Sequence, residues 1–235
     1  MRIWTKETDN HLPGQHVSVD QPESSTPGLI AHLLGIPTKK RYQGATVVVE
    51  RYSGLSYTHL QKTLSGDKTV STKEAFKRYA RSHGVQVTHY HADNEIFANN
   101  KWQKACTENG QRLTFCGVNA SSQNGIAEWR IRELQEQARM MLIHINKRWP
   151  TTVNAYLWPY AGTIIHQTYN GNTYRLRPFQ EPRFWSHFGC PVYVLDKDLQ
   201  AGKKIGTVAL VLSLDTGMVL PQFHLRMDPS FRQVK

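Results

Sequence analysis

Apolar and polar positions change period several times along the chain, and each change marks an element. From Gln15 to Asp20 they alternate, so Val17 and Val19 face one side of a strand while His16, Ser18 and Asp20 face the other. The stretch Gln21–Gly28 is crowded with turn formers, and the pattern predicts that the strand stops at Asp20. Ala45–Glu50 is a β-branched run and Leu55–Leu60 alternates, with Ser53-Gly54 between them as a hairpin turn. Ala75, Phe76, Tyr79 and Ala80 recur at helical spacing, which predicts a helix from Thr72 to Ser82 with Gly84 as its stop. A strand from Val85 to Ala92 delivers Asp93, a second helix runs from Asn100 to Asn109, and Leu113–Val118 reads as a further strand.

After the turn at Asn124-Gly125 comes the longest periodic stretch. Ala127, Ile131, Leu134, Ala138, Met141 and Ile145 recur at steps of three and four, one apolar stripe that packs a helix on a core. Glu128, Arg132, Gln135 and Arg139 form a polar stripe beside it. Val153–Gln167 is also compatible with a helix, divided at Pro159. Farther on, Pro178, Pro182, Gly189 and Pro191 punctuate short β-type pieces, Val192–Leu195 and Val208–Leu212. The pattern divides the chain into a polar leader (1–14), a mixed α/β body (15–180) and a small β-rich segment (181–235).

Composition narrows the function classes. The chain has 235 residues, 39% hydrophobic and 20% charged, the balance of a folded domain with its own core. No apolar run reaches the length of a membrane span and the start of the sequence lacks a signal-peptide core, so an intracellular protein is expected. Cys106, Cys116 and Cys190 form no Cys-x-x-Cys pair, which argues against a disulfide framework or a zinc ribbon. The formal net charge of +11 points to a polyanionic partner. Cut after residues 95 and 150, the three pieces carry about +3, +4 and +4, so the surplus belongs to the whole body and not to a tail.

Three acids occupy places where chemistry can be built: Asp20 and Asp93 at strand ends and Glu128 near the start of the long helix. Brought together without a cation they repel one another, and hard divalent ions remove that penalty. Separately, each has an ordinary explanation: Asp20 as a turn former, Glu128 as the partner of Arg132 in a helix-surface ion pair. His89-x-His91-x-Asp93 also has the alternate spacing of a strand-borne zinc site, though no other zinc motif accompanies it. Asn119-Ala120-Ser121 matches a glycosylation acceptor that has no secretory signal to give it meaning.

Asp20, Asp93 within His91-Ala92-Asp93-Asn94, and Glu128 within Gln123-Asn124-Gly125-Ile126-Ala127-Glu128 resemble the acidic triad of integrases from copia-type retrotransposons. The similarity covers roughly residues 12 to 195, and the Gln-Asn-Gly-x-Ala-Glu segment is its most specific part. The resemblance implies a ribonuclease H-like mixed sheet flanked by helices, followed by a small, shortened, barrel-like β segment that opens at Phe188-Gly189-Cys190-Pro191. It implies a catalytic and metal-binding set of Asp20, Asp93 and Glu128, with Mg²⁺ or Mn²⁺ as cofactor. The activity implied is the joining of element DNA 3′ ends to target DNA, by a homo-oligomer acting in the nucleus. Gln123 and Asn124 are then expected at the DNA-facing loop, and Arg132, Arg139, Lys39, Lys40 and Arg41 on the DNA-binding surface. For these basic residues a merely solvated surface is the competing explanation. Glu95 and Trp129 stand where the family favours glycine and a basic residue, and the C-terminal segment is short. These departures define the alternatives: a catalytically impaired, DNA-binding relic, or a nuclease of the same fold.

Overall fold

The computed structural model describes residues 12–32, 36, 38–93, 96–117, 121–149, 153–163, 188–194, 209–222 and 225–228. The leader up to residue 11, Asn94, Glu95, Asn119, the boundary near residue 180 and the shortened stretch around 202–207 lie outside them. Six strands make the main sheet: β1 (Val17–Asp20), β2 (Glu23–Leu29), β3 (Arg41–Glu50), β4 (Ser56–Gln61), β5 (His89–Ala92) and β6 (Arg112–Phe115). Three helices accompany them: α1 (Gly66–Ser82), α2 (Asn100–Glu108) and α3 (Gly125–Asn146). β1 runs antiparallel to β3, which is also antiparallel to β4, while β1, β5 and β6 are parallel neighbours. The result is a ribonuclease H-like mixed sheet with helices on its faces.

The alternation of β1 decides which face is which. Val17 and Val19 are fully buried with Val48, Phe76, Ala80, Tyr90, Phe97 and Trp102, the core beneath α1 and α2. On the other face Val47 and Val49 of β3 pack against Leu134 and Ala138 of α3. His16, Ser18 and Asp20 belong to this second face, because side chains alternate along a strand. The apolar stripe of α3 therefore lies over β3 and leaves the ends of β1, β5 and β6 to polar side chains.

Local chemistry places the boundaries. Asn99 caps α2 by accepting from Trp102 N at 2.9 Å, and Gly84 and Gly110 take the positive φ that follows each of the first two helices. The expected strand Val85–Ala92 is shortened to four residues because its first amides are committed elsewhere. Val85 N donates to Ala80 O at 2.9 Å and Thr88 N to Gly14 O at 2.9 Å. β1 ends at Asp20 as expected, but the turn-rich segment after it forms a strand of its own: β2 runs along β3, paired at Glu23–Gly44 and again at Gly28–Tyr42 and Leu29–Arg41, with an irregularity between. That irregular edge accommodates Pro27, which has no N–H to give.

Toward the C-terminus, β7 (Val192–Val194) pairs with β10 (Leu225–Met227), and β8 (Ala209–Leu212) pairs with β9 (Val219–Gln222). Among the described residues these are two separate two-stranded ribbons and no closed barrel. The β8–β9 ribbon joins the body directly. His32 N donates to Val219 O at 2.7 Å, and Val219 is buried with Leu29, Ile145, Val153 and Leu157. No helix among the described residues is long and apolar enough to cross a membrane.

Candidate active site

The parallel pairing of β1 and β5 sets Val19 opposite Ala92. Asp20 and Asp93 follow these partners directly and so leave adjacent strands on one rung. Glu128 lies in the first turn of α3, whose N-terminal end meets the same edge of the sheet. The electrostatics agree with this placement. Burial raises the Asp20 carboxyl above its ordinary range, a hydrogen bond from Gln21 N offsets part of the rise, and the negative charges of Asp93 and Glu128 add to it. The same three acids push up the neighbouring Cys116 thiol, after burial, which is the larger cause. All three carboxylates therefore share one electrostatic neighbourhood.

Asp20 Oδ1 accepts from Gln21 N at 2.7 Å, and that is its one hydrogen bond among the described residues. Glu128 and Arg132, four apart on α3, form no ion pair; Arg130 of α3 pairs with Glu133. Like charges side by side are a poor arrangement on their own and a suitable one for a hard divalent ion, which prefers carboxylate oxygens and retains several waters. The donor chemistry thus fits Mg²⁺ or Mn²⁺. Among the described residues no three His, Cys, Asp or Glu side chains stand close enough to enclose an ion by themselves.

The histidines beside the site have other occupations. His89 Nε2 lies 2.8 Å and His91 Nδ1 2.9 Å from the Thr114 hydroxyl, and His91 Nε2 is 3.6 Å from Cys116 Sγ. The His16 ring packs against both, with centroids 5.1 and 5.7 Å away. Burial holds the His91 imidazole below its ordinary range, partly offset by a hydrogen bond to the Gln123 backbone, while Arg51 lowers it further. The His-x-His-x-Asp spacing is therefore filled by a packed polar cluster around Thr114, and the zinc reading receives no ligand set.

The residues expected to meet DNA fall into three groups. Arg132 and Arg139 are exposed on α3. Lys39 and Lys40 are also exposed, but they precede β3 at its far end. Asp20 pairs with Val47, and Arg41 is six residues away along β3, roughly 20 Å at the rise of a strand. The Arg41 guanidinium donates back to Thr38 O at 2.8 Å and Lys40 O at 2.9 Å, so much of its donor capacity is spent locally. Gln123 and Asn124 differ from the expectation. Asn124 is only 2% exposed and its Nδ2 donates to Val19 O at 3.0 Å, so its side chain is turned into the fold and away from any external ligand. Gln123 is exposed, yet its Oε1 accepts from Gly117 N at 2.8 Å. Their position beside a helix start gave no signal of this inward use.

Trp129, next to Glu128, is 56% exposed. The Arg130 guanidinium sits 5.3 Å from its ring centroid. Arg130 itself is 3% exposed and holds Glu133 at 2.5 Å, so it does not supply the surface base that Trp129 displaces.

No family model matches the chain, and no curated protein matches it. The chain is similar to several solved structures at low identity. The magnesium complex of the HTLV-2 integrase catalytic core domain, in its trimeric form, is 17% identical over 73% of this chain and 92% of that one, with a TM-score of 0.46. The catalytic core domain of BIV integrase is 16% identical over 67% and 84%, at 0.45. The simian T-cell lymphotropic virus intasome bound to the PP2A regulatory subunit B56 gamma is 16% identical over 92% and 79%, at 0.48.

Proposed function

We propose that this chain is the catalytic core of a polynucleotidyl transferase that joins DNA 3′ ends to target DNA, as integrases of copia-type retrotransposons do. The observation that carries the reading is the placement of Asp20 and Asp93 on one rung of parallel strands with Glu128 in the first turn of α3, close enough for the charges of Asp93 and Glu128 both to reach Asp20. Asp20, Asp93 and Glu128 would hold Mg²⁺ or Mn²⁺. The ions supply charge neutralisation and Lewis acidity at the reacting phosphodiester. The chain's own contribution is to hold three carboxylates at fixed positions, with Asp20 half-buried, and to present a basic body to DNA. The partners on this reading are element ends and target DNA, bound by a homo-oligomer in the nucleus.

A strand-transfer assay with labelled duplex ends, target DNA and Mg²⁺ tests it. Wild type should yield joined products, and Asp93→Asn should lower their rate by about a hundredfold or more, the scale expected when a principal stabiliser of transition-state charge is lost. Shortened strands without joining would assign the site to a nuclease, with water in place of the DNA hydroxyl. One feature favours the impaired-relic reading: with Trp129 exposed and Arg130 buried on Glu133, neither of the two residues after Glu128 offers a surface cation. DNA binding without metal and without products in wild type would establish that reading and overturn the transferase.

A further inference from the structure

We propose that Gln123 and Asn124 are positioning residues: they tie the entry of α3 to β1 and to the end of β6 and thereby fix Glu128 against Asp20 and Asp93, which sets the affinity of the acidic centre for a divalent ion. The inference rests on reading the three acids as a metal centre. Its evidence is the hydrogen bonding of two consecutive residues. Asn124 Nδ2 donates to Val19 O, one residue before Asp20 on β1. Gln123 Oε1 accepts from Gly117 N, just past the end of β6. β5 lies between β1 and β6 in the sheet, so the two ties bracket the strand ends that frame the acids. Glu128 follows Asn124 by four residues, a rise of about 6 Å and a little over one turn.

A second asparagine beside a helix gives a contrast: Asn99 is extended and stands before the first residue of α2, whereas Asn124 closes a 3-10 turn, Ser121–Asn124, that runs directly into α3. Asn99 caps α2 in the usual way, its Oδ1 accepting from Trp102 N at 2.9 Å. Asn124 makes no capping bond; its amide is turned into the sheet, and its Oδ1 is buried without a hydrogen-bond partner. An unpaired buried acceptor costs free energy. A residue needed only to continue the helical chain would avoid that cost. The tie to Val19 is what Asn124 gains in exchange, and that tie joins the Glu128 helix to the Asp20 strand.

The test reads metal affinity separately from folding and from DNA binding. Mg²⁺ half-saturation is measured by thermal melting of wild type, Asn124→Ser, Gln123→Ala, Gln123→Glu and Glu128→Gln, with metal-free binding to a duplex oligonucleotide recorded for each. Asn124→Ser and Gln123→Ala should each require about tenfold more Mg²⁺, the scale of losing a residue that orients a ligand. Metal-free DNA affinity should stay within about twofold of wild type, since DNA contact is not their role. Gln123→Glu keeps an acceptor for Gly117 N and should need no more Mg²⁺ than wild type. If wild type responds to Mg²⁺ but both amide variants show a lower midpoint with unchanged half-saturation, the ties are structural only and the proposal fails. A drop in metal-free DNA affinity in Gln123→Ala would replace it with a DNA contact. A wild type indifferent to Mg²⁺ would remove the metal centre itself, and the proposal with it. Gln123 is exposed, so its variants carry the test even if Asn124→Ser does not fold.

Discussion

Each end of β1 has a carboxylate beside it, and the two are treated in opposite ways. At the start of the strand, where Val17 pairs with Glu50, the Glu50 side chain is fully buried and its oxygens are surrounded by donors. Gly14 N and Tyr52 N donate to Oε1 at 3.2 and 3.1 Å, and Ser53 N and the Ser53 hydroxyl donate to Oε2. At the other end Asp20 is less buried, accepts one hydrogen bond and faces two like charges. Burial alone would pick Glu50 as the unusual acid. The donor inventory reverses that choice: Glu50 is satisfied by the turn that it organises, while Asp20 retains capacity for something positive.

Substitutions at the two ends should therefore separate. Glu50→Gln leaves the turn amides facing a weaker acceptor and should cost about 2–3 kcal/mol by chemical denaturation, since hydrogen bonds to an ionised group are the strong ones. It should leave the midpoint's response to Mg²⁺ intact; a lost response would mean that the two ends are not independent. Asp20→Asn should act in the other direction in chelator, stabilising by about 0.5 kcal/mol because a repulsive charge is removed, and it should abolish the gain from Mg²⁺. A marked destabilisation would make Asp20 structural, like Glu50.

The pH dependence sharpens the contrast. Burial and the two neighbouring acids raise the folded-state Asp20 above its ordinary 3.8, so the folded protein binds this proton more readily than the unfolded chain. Its contribution makes stability fall as pH rises from about 3.8 through the folded value, and level off above it. In chelator, Asp20→Asn should remove that fall; identical pH profiles for variant and wild type would contradict the placement of Asp20 among like charges. The smallest effect is expected at the exposed surface, where Arg132→Ala should reduce the salt slope of DNA binding by about one charge contact. An unchanged slope would take Arg132 out of the footprint.

Much of this was legible where local pattern and tertiary burial ask for the same thing. The alternation Val17-Ser18-Val19-Asp20 gave the correct inner and outer faces because a strand against a core has no other way to bury valine. The apolar steps from Ala127 to Ile145 likewise gave α3 its buried stripe. The beginning of β5 was misread because Val85 and Thr88 have strand-like side chains while their amides bond to the end of α1 and to Gly14. β2 was missed because turn formers dominate it, and its pairing depends on β3, a distant partner that local propensity does not register. Polar residues in a loop usually face solvent, so Gln123 and Asn124 read as external contacts. Nothing nearby in sequence announces that Val19 and Gly117 come to meet them. Lys39, Lys40 and Arg41 read as a DNA-binding patch from charge alone, which carries no distance; strand register sets them at the far end of β3 from Asp20.

The parallel pairing of β1 with β5 makes the sheet a ruler. Neighbouring strands stand about 4.8 Å apart, a spacing set by backbone hydrogen bonds and indifferent to which side chains they carry. Because Asp20 and Asp93 leave on one rung, the ladder through Val19 and Ala92 keeps their backbones side by side. The Gln21 amide offsets only part of the cost to Asp20, and a proton or a cation would offset more of it.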